Sequence, residues 1–310
     1  MLGDSLSEGV GDPLPGGGWR GWAALLGESL GADVRVLNVA RSGARSADVA
    51  GPQLQAALRH RPHLASVVAG GNDTLRGAFD IAEVAADLHA ALGALRAAGA
   101  EVLTACLPDA GSVLGLPRPL ARPLARRMRA VNHVVHALSA HHGAIHVHAV
   151  DHAWGERPEM LGADRLHPNE AGHRLLAGEF HRALAAAGLA TGAGPRPEPD
   201  GRPPGRAAAA WWLATRGTRW VAERCTDLLP DLLRLALAER CGDPARLDEA
   251  ANRATRDALR ALGVAVDAGG GPPADQPPRG ARSTTKRSGV PGGAWAAADR
   301  EEAGTTPITG

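Results

Sequence analysis

This 310-residue chain has no tyrosine, two phenylalanines and a single lysine, Lys286. Its other basic residues are arginines, and Lys plus Arg (34) against Asp plus Glu (33) leave a formal charge of +1. Without a charge excess, an activity driven by nucleic acid, an anionic membrane surface or an acidic partner is disfavoured. Cys106, Cys225 and Cys241 are odd in number, far apart and free of any CxxC pairing. That spacing argues against a disulfide framework or a zinc knuckle and fits a reducing compartment. No uncharged apolar run reaches membrane-spanning length, and residues 1–12 lack the basic and apolar regions of a secretory signal, so a soluble, cytoplasmic protein is expected. GxSxG, the P-loop and the dinucleotide fingerprint are also absent, which disfavours an α/β-hydrolase proper, an NTPase and a dehydrogenase.

What is present has the rhythm of a parallel sheet covered on both faces. Short apolar runs predict strands at Met1-Leu2, Val34 to Asn38, Leu64 to Ala69, Glu101 to Leu107 and Ile145 to Val150. Between them, helical spacing predicts helices at about Trp19 to Leu30, Ala47 to Arg59, Ile81 to Ala98, Leu120 to His142 and Pro168 to Ala187. The expected fold class is a doubly wound α/β domain over residues 1–190. A Pro/Gly-rich stretch follows at 191–206 and reads as a linker. Residues 207–266 return to helical spacing, with Trp211, Trp212 and Trp220 among apolar positions, and read as a small helical appendage docked on the first domain. Residues 267–310 are rich in Gly, Pro, Ser and Thr and read as a disordered tail.

The sharpest chemical signal is Gly3-Asp4-Ser5-Leu6 at the end of the first strand, where Ser5 can act as a nucleophile. A base is offered by Gly162-Ala163-Asp164-Arg165-Leu166-His167-Pro168. Pro168 suits the first helical position and keeps His167 in the preceding loop, while Asp164 can reach back to the imidazole Nδ1. Oxyanion donors are offered by the loop Asn38 to Gly43 and by Gly70-Gly71-Asn72-Asp73. Each segment alone could be an ordinary turn. Together, Ser5, Gly43 and Asn72 fall at the carboxyl ends of expected parallel strands, where ligands collect in such sheets.

These four blocks, in this order, resemble the SGNH hydrolases, also called the GDSL esterase/lipase family. Ser5 matches the nucleophile block, Gly43 the oxyanion glycine, Asn72 the oxyanion asparagine, and Asp164 with His167 the closing DxxH. The resemblance covers about residues 1–189. It implies a flavodoxin-like three-layer α/β/α fold, a Ser5-His167-Asp164 triad, and an oxyanion hole from the Ser5 and Gly43 N–H groups and the Asn72 amide. The implied reaction is hydrolysis of a small to medium acyl ester or thioester, with no metal and no organic cofactor, and with activity rising with pH as His167 becomes neutral. One departure stands out: the family's first strand runs several residues ahead of its nucleophile block, and that strand is expected in the middle of the sheet, yet only Met1 and Leu2 precede Gly3 here. A weakened, non-catalytic scaffold that binds a partner through its helical appendage is therefore the rival reading, and transfer of the acyl group to an alcohol is a second.

Two further features have plainer readings. His141, His142, His146, His148 and His152 cluster in the sequence, with His146 and His148 on one strand face, but read as surface histidines near a strand end. Ser283 to Lys286 matches SxxK, the motif of penicillin-recognising enzymes, but lacks the strand and helix context that motif needs.

Overall fold

A computed structural model describes residues 1–149, 155, 157–201, 205, 214 and 229–265. Four parallel strands form its sheet: β1 (Leu2–Gly3), β2 (Leu64–Val68), β3 (Glu101–Ala105) and β4 (Ile145–Val147), in spatial order β1-β2-β3-β4. Register runs Leu2 to Val67, Ala65 to Val102 and Thr104 to His146. The strands are buried and apolar because helices cover both faces, as parallel sheets require.

On one face lie α2 (Gly21–Leu30) and α9 (Glu170–Ala186), where Trp22 stacks on Phe180 with ring centroids 4.3 Å apart. On the other lie α3 (Ser46–Asp48), a π-helical turn (Val49–Gln53), α4 (Leu54–Arg59), α6 (Ile81–Ala97) and α8 (Arg118–His142). Short helices α1 (Ser5–Glu8), α5 (Gly71–Thr74) and α7 (Ala110–Val113) follow the carboxyl ends of the first three strands. The result is a three-layer α/β/α fold. Two later helices, α10 (Leu229–Cys241) and α11 (Pro244–Ala261), pack on α8, and α11 also reaches α6. Buried Ala258, Leu259 and Val264 join the same core as the sheet, and Arg126 of α8 pairs with Glu239 and, at 2.7 Å, with Asp248. The expected tryptophan stripe at 211, 212 and 220, His152, residues 267–310 and the SxxK match lie outside the described residues.

Two expectations are corrected here. Val34 to Asn38 form no strand, and β1 therefore stands at the edge of the ladder rather than in its middle. The physical reason lies in the hydrogen bonds of β1. Val39 N–H donates to Met1 O and Arg41 N–H to Gly3 O, which is one half of a parallel pairing. The return bond is taken by a side chain: Gly3 N–H donates to Gln53 Oε1 at 2.8 Å, and Gln53 Nε2 donates to Gly3 O at 2.9 Å. The segment thus flanks β1 in the position a second strand holds in the flavodoxin-like order, while Val34, Val36 and Leu37 stay exposed.

Gln53 is buried, so its amide replaces water for groups that would otherwise be orphaned. Replacing it with leucine strands the Gly3 N–H, and the expected loss is about 1–3 kcal/mol, the desolvation penalty of an unpaired buried donor. Urea denaturation of the Gln53→Leu variant checks this; a change below about 0.5 kcal/mol, the range of a neutral surface substitution, would remove Gln53 from the account.

Candidate active site

Ser5 is the first residue of α1, directly after β1, and its turn is set by Asp4, whose Oδ1 accepts from Leu6 N–H at 3.0 Å. The helix stops after one turn because Gly9 takes a left-handed conformation, φ 100°. Ser5 Oγ thereby faces the loop that enters α9, where His167 Nε2 lies 2.7 Å away. The other imidazole nitrogen, Nδ1, lies 2.5 Å from Asp164 Oδ2.

The loop holding both partners is a tight antiparallel turn. Gly162 N–H donates to His167 O at 2.8 Å, Leu161 pairs with Pro168, and Arg165 at the tip takes a positive φ of 59°. Asp164 Oδ1 accepts from the N–H groups of Leu166 and His167, each at 3.0 Å, so one oxygen fixes the loop and the other fixes the imidazole. Burial raises the Asp164 carboxyl, but its bonds to His167, the His167 charge and the two N–H donors outweigh that and hold it below the usual carboxylate range. It is an anion at neutral pH. The helix begins later than Pro168: Asn169 is the cap, its Oδ1 accepting from Gly172 N–H and its Nδ2 donating to the carbonyls of Glu159 and Leu161. A proline cannot supply those bonds, and Asn169 can.

Asn72 sits in α5 after β2, with its Nδ2 donating to Ala44 O at 3.1 Å and lying 3.4 Å from Asp4 Oδ2. Gly43 precedes Ala44, takes φ 80°, and follows Ser42, whose N–H donates to Glu8 Oε2 at 2.7 Å. The segment 42–44 is therefore tied on one side to the helix of Ser5 and on the other to Asn72. All five residues singled out in the sequence gather at the carboxyl end of the sheet, and His167 is in direct hydrogen-bond contact with both Ser5 and Asp164.

Three further residues have supporting roles that the sequence alone did not reveal. His173 of α9 is fully buried, donates from Nε2 to Val10 O at 3.0 Å and accepts from Trp22 N–H at Nδ1, which makes it a neutral staple between α9, α2 and the Ser5 loop. Burial pushes it down to about 4. Its signal was a histidine on the apolar stripe of a helix, four residues before Ala177. Asp4 is wholly buried, and burial, opposed by the Leu6 N–H and the His167 charge, pushes its carboxyl up to about 6. Gly11, φ 107°, runs so close to the histidine loop that a Cβ there would lie 1.9 Å from Pro168 O. The Gly11→Ala variant must displace the loop that carries His167, and a misplacement of about 1 Å lowers kcat by about 100-fold. Steady-state kinetics on folded protein, verified by circular dichroism, tests this; unchanged kcat would show that the loop yields without moving the imidazole.

Among the described residues, two groups apart from Ser5, His167 and Asp164 could hold a metal: Cys106 with His136, His146 and His148, and His89 with His141 and His142. Among the described residues no helix is long and apolar enough to cross a membrane.

The GDSL-like Lipase/Acylhydrolase family matches residues 1–175. Among solved structures, the chain is similar to TesA at 31% identity, covering 59% of this chain and 95% of that one with a TM-score of 0.48. It is also similar to the acetylxylan esterase Axe2 from Geobacillus stearothermophilus, at 21% identity over 59% and 91% of the two chains, TM-score 0.47. A lipase/acylhydrolase from Enterococcus faecalis is 21% identical over 63% and 96%, TM-score 0.49. No curated protein matches. The match over residues 1–175 spans more than half of the chain, which therefore belongs to the GDSL-like lipase/acylhydrolase family of carboxylic ester hydrolases.

Proposed function

We propose that this protein hydrolyses a small to medium acyl ester or thioester through an acyl-Ser5 intermediate. The observation that carries the reading is the unbroken chain of contacts from Ser5 Oγ through His167 to Asp164. With Asp164 ionised and accepting at Nδ1, the imidazole proton resides on Nδ1 and the Nε2 lone pair faces Ser5 Oγ. His167 takes the Ser5 proton as Oγ attacks the acyl carbonyl, and the imidazolium is stabilised by Asp164. The oxyanion is held by the Ser5 and Gly43 N–H groups and by Asn72 Nδ2, which exchanges its long contact with Asp4 for the developing charge. His167 then protonates the leaving alkoxide or thiolate, and in the second half it activates the water that releases the acid. The scattered cysteines favour a reducing, cytoplasmic setting for this enzyme.

Covalent labelling with a fluorophosphonate, followed by peptide mapping, tests the proposal. The expected result is one phosphonylated peptide containing Ser5, absent after prior denaturation. A folded protein that takes no label, or takes it elsewhere, contradicts the assignment.

A further inference from the structure

The histidines that looked like surface residues in the sequence are organised by the fold around a sulfur. Thr104 and Cys106 stand two apart at the carboxyl end of β3, and His146 and His148 two apart on and just after β4, so all four face the same side of the sheet. Helix α8 covers that side and contributes His136, whose ring centroid lies 4.2 Å from that of His146 and 4.7 Å from that of His148. The ligand-capable atoms of Cys106, His136, His146 and His148 all lie within 4.8 Å of one another. A tetrahedral zinc with bonds of about 2.0–2.3 Å spaces its ligand atoms at about 3.3–3.8 Å, so side-chain rotations of about 1 Å close the set.

The hydrogen bonds beneath His146 fix which of its nitrogens is available. Ser139 Oγ donates its one proton to Val135 O at 2.5 Å. The 2.7 Å contact between Thr104 and Ser139 must then use the Thr104 proton. Thr104 Oγ1 can therefore only accept from His146 Nδ1, 2.9 Å away. Nε2 is left as a bare lone pair, and this buried atom has no hydrogen-bond partner among the described residues. An imidazole whose far N–H is anchored and whose near nitrogen is unprotonated has the form in which histidine ligates metals. In the other group, by contrast, His142 Nε2 and His89 Nδ1 are hydrogen-bonded to each other at 3.1 Å.

We propose that Cys106, His136, His146 and His148 form a tetrahedral site for a transition-metal dication, zinc foremost, that clips β3, β4 and α8 together. One thiolate with three imidazoles is a donor set suited to zinc and its neighbours and unsuited to calcium or magnesium. Binding releases the Cys106 thiol proton to solvent and takes the three imidazoles neutral. Exposed His148 is the entry point.

Titration of chelator-treated full-length protein with cobalt(II) tests the site. The expected result is a thiolate-to-cobalt charge-transfer band and tetrahedral d–d bands that saturate at one equivalent, disappear on adding zinc, and coincide with a rise in Tm. The Cys106→Ser variant loses the charge-transfer band. Thr104→Val, which removes the anchor of Nδ1 without touching a ligand, weakens binding about 10- to 100-fold. His148→Ala, at an exposed position, weakens zinc binding while leaving the metal-free protein folded. Cobalt spectra without a thiolate band, binding that survives His146→Ala, or no binding at all would each overturn the proposal.

Discussion

Replacing Ser5 with alanine is expected to lower kcat by about 10⁴- to 10⁶-fold while leaving the fold intact, the range over which other serine triads lose function. In the proposed mechanism the effect is large because one oxygen, 2.7 Å from His167 Nε2, serves both as the nucleophile and as the origin of the proton that His167 later delivers. His167→Ala should fall within the same range, and the Ser5→Ala/His167→Ala double variant should be no worse than either single one, because the three groups act as a unit. Asp164→Asn is informative for a different reason. Its Oδ1 keeps the Leu166 and His167 N–H bonds, so the loop stays in place, but an amide N–H then points at Nδ1 and drives the imidazole proton to Nε2. That tautomer cannot accept from Ser5, and a loss of about 10⁴ is expected. Hydrolysis of a chromogenic acetate ester by wild type and the four variants, with stability measured in parallel, is the check. Turnover by Ser5→Ala within about tenfold of wild type would place the nucleophile elsewhere; the absence of turnover by folded wild-type protein would favour the binding-scaffold alternative.

The second large effect concerns Asp4. Its folded carboxyl is raised from 3.8 to about 6 by burial, so between those values the folded chain keeps a proton that the unfolded chain releases. Stability therefore falls as pH rises through that window, by on the order of 3 kcal/mol in full. Asp4→Asn retains an oxygen to accept from Leu6 N–H but carries no charge to desolvate. Relative to wild type, the variant should gain stability progressively from pH 4 to pH 7, whatever constant offset its altered contact with Asn72 imposes. His173 contributes with the opposite sign in both proteins: held down to about 4, it stays neutral when folded and stabilises the fold above its unfolded value, a contribution lost as pH falls from 6.5. Because His173 is common to both proteins, the difference isolates Asp4. Urea midpoints at several pH values measure it, and a difference that does not vary with pH would show that the carboxyl is ionised at no net cost.

The parts of this molecule legible in the sequence are those dictated by local pattern. The β-branched run of Leu64–Val68, the 3.6-residue spacing of Ile81–Ala97 and the four chemistry-bearing blocks each carry their own signal. Val34 to Asn38 has the short apolar, β-branched composition of a strand, yet pairing is decided by the neighbour, and Gln53 occupies the donor a strand would need. Gly11, His173 and Asp4 were silent for a related reason: their roles are close approach and burial, which appear only when distant segments meet. The sulfur among the histidines is hidden in the same way, since Cys106 lies forty residues from His146 in sequence and one strand away in the sheet.

The C-terminal helices have a consequence for what counts as a unit. Shared ancestry is visible over residues 1–175, but Leu259 of α11, fully inaccessible to solvent, lies in the same apolar core as the strand that leads into Ser5. The segment inherited from the family and the segment that must melt together are thus of different lengths. Calorimetry should see one cooperative transition for both, and cutting the chain at the border of homology would leave α8 with a bare apolar flank where its own C-terminal helices belong.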